Sequence, residues 1–212
     1  MDVKKFAQVA NTIFAPIYPV VAEQMLNRLK ISQGLCLEIG TGPGLLAYEV
    51  AKKLKSKIIG IDINVETLII AKELLKKKKD RTTILQKIKW VCSNASCLPF
   101  KDKTFDMTIS RGSFFFWENK VKGIREILRV LKPGGKAMVG GGFGNMALKT
   151  KVAKEIKEIY DDWEERVEKR RRKFNPKALK ELMHKADIKR FEIIYDEVNQ
   201  WVVFEKKLKA DC

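Results

Sequence analysis

The sequence contains a single histidine, His184, and four cysteines, Cys36, Cys92, Cys97 and Cys212, with no CxxC pair among them. This scarcity excludes the usual Cys/His metal spacings and a disulfide framework, and no metal is expected. Cys36 and Cys92 lie in apolar, strand-like runs, which predicts buried thiols in a reducing compartment. No apolar run reaches the length of a membrane span, and there is no repeat or low-complexity tract. The stretch nearest to a leader, Lys4-Lys5 followed by FAQVANTIFAPIYPVVA, is interrupted by Gln8, Asn11, Thr12, Pro16 and Pro19. It reads as structure leading into a helix, and a cytoplasmic protein is the expectation.

Acid is scarce as well. Across 212 residues 43 Lys+Arg face 26 Asp+Glu, a net charge of +17. Residues 1–145 carry 25 basic against 12 acidic side chains and residues 146–212 carry 18 against 14, so the excess is not a basic tail. A charge of this size attracts nucleic acid or other anionic partners. A lysine-rich surface that serves solvation is the other reading. The sequence carries no marker of oligomeric state.

The chain alternates strongly between strand and helix signals. LCLEI (35–39), KIIGID (57–62), IKWVCS (88–93), FDMTIS (105–110) and KAMVGG (136–141) read as apolar strands. Between them GLLAYEVAKKL (44–54), VETLIIAKELLKKKK (65–79, opened by Asn64) and KVKGIREILRVL (120–131, stopped by KPGG) read as helices. Val152, Ile156, Ile159, Trp163 and Val167 mark one face of a single long helix over about 146–172. A helix over 175–186, with Pro176 at its start, and a closing strand pair, FEIIYD and WVVFEK, follow. The expected fold is α/β: a Rossmann-like, doubly wound, mostly parallel seven-stranded sheet with helices on both faces and a C-terminal antiparallel pair. The expected organisation is one domain: a helical cap (1–30), a core (31–145), a helical insertion (146–174) and a closing helix and strand pair (175–212).

Gly40, Gly42 and Gly44, in LEIGTGPGLL, fall at the carboxyl end of the first strand, where open parallel sheets bind ligands. A dinucleotide fingerprint would place the third glycine at the position of Leu45; here it comes one residue early. Asp62 ends the second strand 18 residues after Gly44, where a carboxylate accepts ribose hydroxyls, and Asp62 and Asn64 together also suit a helix cap.

LEIGTGPG, GIDIN, NASCLPFKDKTFDMTISRGS and REILRVLKPGG, in this order and spacing, resemble the motif series of class I S-adenosylmethionine-dependent methyltransferases. The likeness is nearest to the small-molecule group that includes the ubiquinone/menaquinone-biosynthesis type, and it covers about residues 30–142. The resemblance implies S-adenosyl-L-methionine as cofactor. It implies a glycine loop (Gly40, Thr41, Gly42, Gly44) against the amino-acid end, Glu38 holding the amino group, Asp62 on the ribose and Ile63 on adenine. Ala95 would offer its N–H to adenine, and Ser110 would border the cofactor. Asn94 departs from the Asp common at that position; its oxygen can still accept a hydrogen bond, without charge assistance.

No catalytic base is nominated. Arg111, Ser113 and Glu118 are the candidates beyond the fourth strand: Arg111 for an anionic substrate or a structural ion pair, Glu118 as proton acceptor or exposed loop acid. In FFFWEN (114–119), Phe116 and Trp117 are the candidates for an acceptor wall. Tyr18 and Phe14 in the N-terminal segment, and Tyr160 and Trp163 in the insertion, either reach the pocket or pack as core. The basic run RVEKRRRKF (166–174) reads as a solvated helix end, and His184 as a surface residue.

The function expected is methyl transfer to a small-molecule acceptor. A nucleic-acid methyltransferase is favoured by charge but lacks the Asn/Asp-Pro-Pro-aromatic motif where SRGS stands, and lacks a Pro-Cys pair. A cofactor-binding regulatory subunit without chemistry is a third reading, and a dehydrogenase comes last on glycine spacing.

Overall fold

Five apolar runs become the parallel strands β1 (Cys36–Ile39), β2 (Ile58–Asp62), β3 (Ile88–Cys92), β4 (Phe105–Arg111) and β5 (Leu131–Gly142). The closing pair forms β6 (Phe191–Tyr195) and β7 (Asn199–Glu205). In the sheet the order is β3-β2-β1-β4-β5-β7-β6, with β7 antiparallel to both neighbours. The computed structural model describes residues 2–78 and 81–208; Cys212 and Lys79, the last residue of the expected 65–79 helix, lie outside them.

Period-two alternation sends successive side chains of one strand to opposite faces, and both faces are covered. On one side Cys36, Met107, Ile109 and Met138 pack with Val9, Ile17, Met25 and Leu45. These belong to β1, β4 and β5 and to the helices α1 (Val3–Asn11), α2 (Ile17–Leu29) and α3 (Leu45–Lys53). On the other side Leu37, Ile39, Phe105 and Val139 pack with Ile124, Ile127, Leu179 and Met183. Those last four come from α6 (Lys120–Val130) and α9 (Pro176–Lys185). Helices α4 (Val65–Lys76) and α5 (Arg81–Leu85) link β2 to β3. Asparagine caps start four helices: Asn64, Asn119, Asn145 and Asn175 each accept a backbone N–H from the first turn. Each such cap contributes ~1 kcal/mol.

Three expectations need correction. The long helix over 146–172 is two helices, α7 (Met146–Lys157) and α8 (Trp163–Lys173). In the break Asp161 Oδ1 accepts the Asp162 N–H at 2.8 Å, a local bond that competes with helix continuation. Ile159 therefore leaves the buried face and is half-exposed. Next, the fifth strand is longer than the expected 136–141: α6 stops at Val130, just before KPGG as expected, and KPGG is already part of β5, with a register irregularity opposite Phe105/Met107. Finally, Cys92 is exposed, because it ends β3 at the open edge of the sheet; Cys36 is buried and Cys97 is exposed.

Chain direction along the sheet reverses at β1, which lies between β2 and β4. The crevice outside the carboxyl ends of β1 and β4 is therefore the switch point where open sheets take ligands. Among the described residues, no helix is long and apolar enough to cross a membrane.

Candidate active site

The glycine loop leaves β1 directly over the switch point. Gly40 has φ +68°, and a Cβ there would lie 2.1 Å from the Ser113 Cβ, so the loop and the β4 terminus touch through a bare backbone. The Thr41 N–H donates to Ile61 O at 2.8 Å and the Gly42 N–H to Asp62 Oδ2 at 2.9 Å, which ties the loop to β2. Gly44, with φ +77°, packs on Trp90: a Cβ would come within 2.5 Å of the indole. The third glycine thus serves α3–β3 packing one residue earlier than the dinucleotide pattern would place it.

Two acids flank this loop. Asp62 accepts the Gly42 N–H on Oδ2 and the Asn64 N–H on Oδ1 (3.0 Å), while the helix cap itself is Asn64. Each carboxylate oxygen keeps a lone pair, enough for two ligand hydroxyls. Glu38 is buried, and Thr41 Oγ1 donates to its Oε2 at 2.6 Å. Burial pushes its carboxyl up to about 8; the nearby Asp62 charge adds to the rise, and the Thr41 hydroxyl opposes it. A buried acid held so far from its ordinary range is poised for a cationic partner.

Ile63, just past β2, is 69% exposed, an apolar surface left open beside Asp62. Asn94 Oδ1 accepts the Ser96 N–H at 2.8 Å, and Asn94 bridges to Cys97. Ala95 is buried. This turn is secured from below by α6. Glu126 accepts the Leu98 N–H at 2.7 Å, and Arg129 donates to Leu98 O, Phe100 O, Asp102 and Glu126. Glu118 is exposed and lines a hollow of about 570 Å³ with Asn94, Ser96 and Asn119, apart from Arg111 and Ser113.

Ser113 is committed to structure. Its hydroxyl donates to Ile39 O at 2.8 Å, so Ser110 Oγ (2.8 Å) and Trp117 Nε1 (3.2 Å) both donate to it. With its proton and lone pairs engaged, it positions the loop and has nothing left for a substrate. The aromatic run after it forms a 3-10 turn over Ser113–Phe116. Three residues per turn place Phe114 and Trp117 on one inward side and Phe116 on the outside. Phe116 is accordingly 77% exposed and walls no pocket; Trp117 packs edge-on against Phe114 and beneath Gly123. The inward ring that sequence reasoning missed is Phe115, packed on Gly141 of β5.

Arg111 ends β4. Its guanidinium lies over Phe14 (5.5 Å) and Tyr18 (5.4 Å) and donates to Gly142 O from Nε (3.4 Å) and Nη2 (3.3 Å). Tyr18 is buried, and burial raises its phenol above the ordinary range against the opposing charge of Arg111. Phe143, next along the chain from Gly142, meets Trp163 edge-on at 5.7 Å, and Tyr160 lies between the cations of Lys5 and Arg166. The basic run is the solvated end expected at Arg166, Lys169, Arg172 and Lys173, which are exposed, but not at Arg170 and Arg171. Arg170 turns inward over Phe115 at 4.8 Å, while Arg171 donates to the carbonyls of Asp196 and Asn199. Residue type alone gives no sign of this, since an arginine run reads the same on a free helix end and on a packed one. His184 is exposed, against Phe191, as expected.

A parallel sheet with an open switch point, a glycine loop and two acids defines a Rossmann-like nucleotide-binding enzyme. Comparison with known proteins specifies which kind. A methyltransferase domain model matches residues 37–139. A candidate S-adenosyl-L-methionine-dependent methyltransferase from Methanococcus maripaludis, known as a crystal structure, superposes with a TM-score of 0.90 and 32% identity, over 99% of this chain and 93% of that one. A ubiquinone/menaquinone biosynthesis C-methyltransferase from Francisella philomiragia is 30% identical over 151 residues, 69% of this chain and 56% of that protein. An uncharacterized methyltransferase from Bacillus subtilis is 29% identical over 133 residues, 62% of this chain and 69% of that protein. The chain belongs to the class I S-adenosylmethionine-dependent methyltransferases, and its cofactor is S-adenosylmethionine.

Proposed function

We propose that the chain transfers the methyl group of S-adenosylmethionine to a small-molecule acceptor. The observation that carries this reading is the aromatic cluster at the carboxyl ends of β4 and β5. Phe14 and Tyr18 from the N-terminal segment meet Arg111, which bonds Gly142, and the adjoining Phe143 packs on Trp163 of α8. A cluster of rings from several elements suits contact with a compact, planar molecule. The name of the Francisella relative, a C-methyltransferase of quinone biosynthesis, points the same way. A phosphate-tracking role finds little support along the outside of the basic run, because Arg166 and Arg172 pair with Asp162 and Glu168 and Arg171 holds the carbonyl of Asp196. The exposed thiols of Cys92 and Cys97 suit a reducing compartment such as the cytoplasm.

The residues present fit the cofactor. Gly40 and Gly42 would admit its amino-acid end, Glu38 would meet the ammonium, and Asp62 would accept the ribose hydroxyls. Ile63 would pack on adenine, with the Ala95 N–H and the Asn94 oxygen at its edge. Bound S-adenosylmethionine supplies an activated methyl on a sulfonium, so little covalent chemistry falls to the protein. Its own residues align the acceptor and exclude water, a contribution of ~7–11 kcal/mol when the geometry is right. Incubation with methyl-labelled cofactor and extract of the source organism tests the reading. Label in the small-molecule fraction is expected; nuclease-sensitive label would overturn it.

A further inference from the structure

Arg170 and Arg111 both reach the same short stretch of β5, Arg170 through the ring of Phe115. Arg170 lies over Phe115, whose ring packs on Gly141, and Arg111 donates to the carbonyl of Gly142. Neither guanidinium has a carboxylate partner among the described residues, although the chain pairs other arginines with acids, Arg129 with Glu126 and Asp102 for example. The Nε of Arg170 is buried and has no hydrogen-bond acceptor. Buried donors in native proteins are nearly always paired, and an unpaired one calls for an acceptor that arrives from outside. The faces of both guanidiniums are taken up by rings: Phe115 under Arg170, Phe14 and Tyr18 under Arg111. The N–H edge of Arg170, and the Nη1 side of Arg111 beyond its bonds to Gly142, remain for something planar and negative.

We infer that Arg111 and Arg170 together hold an anionic group, a carboxylate or a phosphate, on the methyl acceptor, whose planar body lies among Phe14, Tyr18 and Phe115. This rests on the methyltransferase reading, and it makes the substrate an anion where that reading says only small molecule. The position is apt: Arg111 directly follows Ser110, whose hydroxyl bonds the Ser113 that abuts the glycine loop. An acceptor anchored there is held beside the cofactor and not in its place. The electrostatics agree, since burial and then the charges of Arg111 and Arg171 bring Arg170 down to about 10. Two neighbouring cations without carboxylate partners are relieved by one anion between them.

The test measures binding of benzoate, phenyl phosphate and the neutral isostere benzamide by calorimetry, with S-adenosylhomocysteine bound and with it absent. S-adenosylmethionine affinity is measured in the same preparations. Benzoate or phenyl phosphate is expected to bind about tenfold or more tightly than benzamide, and the tighter of the two identifies carboxylate or phosphate as the natural group. Arg170→Met and Arg111→Met should each remove that preference and leave cofactor affinity within about twofold, since charge-assisted bonds to the anion are what they delete. Arg170→Lys, which keeps the charge without the fork, should fall between. Equal binding of benzamide by the wild type would overturn the inference, as would variants that bind the anions like wild type. Competition between benzoate and S-adenosylhomocysteine would overturn it too, because the arginines would then serve the cofactor's own carboxylate. Failure of S-adenosylmethionine to bind, with Arg-dependent anion binding intact, would instead sink the methyltransferase reading and leave the anion site standing.

Discussion

Asp62, the last residue of β2, reaches back across the edge of the sheet and holds the Gly42 amide at 2.9 Å. The acid expected on the ribose thus also fixes the loop that would meet the other end of the cofactor. Asp62→Asn retains an oxygen for the Gly42 N–H but loses the charge, and cofactor affinity should fall about tenfold with the fold intact. Asp62→Ala also frees the loop and should cost about a hundredfold, by the same per-bond magnitudes. Calorimetric titration of both variants checks the order; equal losses would show that the loop contact is irrelevant.

Glu38 makes cofactor binding a proton-linked event. With its carboxyl raised to about 8, Glu38 is largely protonated in the free protein at neutral pH, and meeting a cationic ammonium ionises it. Binding near pH 7 should therefore release close to one proton, read as a dependence of the binding heat on buffer ionisation enthalpy. At pH 9 the release should vanish, and Glu38→Gln should abolish it at every pH.

The same group gives stability a slope. Its folded pKa lies above the unfolded value of 4.5, so the native state holds the extra proton between the two. The contribution to stability is full below 4.5 and is lost as pH rises toward 8. Urea melts across that window should show a shallower decline for Glu38→Gln than for wild type.

Gly44 should tolerate no side chain. At φ +77°, with the Trp90 indole 2.5 Å from any added Cβ, Gly44→Ala meets both backbone strain and overpacking. The expected loss is ~2–5 kcal/mol by chemical denaturation, the sum of those two effects. Trimming the indole by Trp90→Leu should recover the steric part only.

Ser113→Ala separates positioning from chemistry. Removing a hydroxyl with three partners should destabilise the protein by ~1–3 kcal/mol and raise the cofactor Kd, because Ile39 O and the Trp117 N–H lose their partner. With cofactor saturating, turnover should stay within about tenfold of wild type; a hydroxyl acting as general base would cost ~10²–10⁴-fold.

The strands and the loop over β1 were legible because local signals and tertiary context agree there. Apolar runs, glycines and Asn64 mean the same thing in the sequence as in the fold. The acceptor side was much less legible. Whether Phe115 or Phe116 faces inward depends on a 3-10 turn that shifts the phase of the run, and no periodicity announces it. The break between α7 and α8 is made of local turn bonds, among them those of Ile159, Tyr160 and Asp162, which no periodicity announces. The inward turn of Arg170 depends on Phe115 lying over Gly141, a contact between residues far apart in sequence. The placement of a single loop could be read directly, whereas contacts assembled from several elements could not.

The placement of β7 has a consequence for how the chain is made. Residues 199–205 insert between β5 and β6, and a Cβ at Gly140 would lie 2.1 Å from Gln200 O, so β7 has a tightly fitted slot. Until those residues leave the ribosome, β5 presents an open apolar edge to other nascent chains. Completion of the sheet therefore waits for a segment that emerges after every other described strand, and ribosome-bound chains halted before residue 199 are where aggregation and chaperone capture should concentrate.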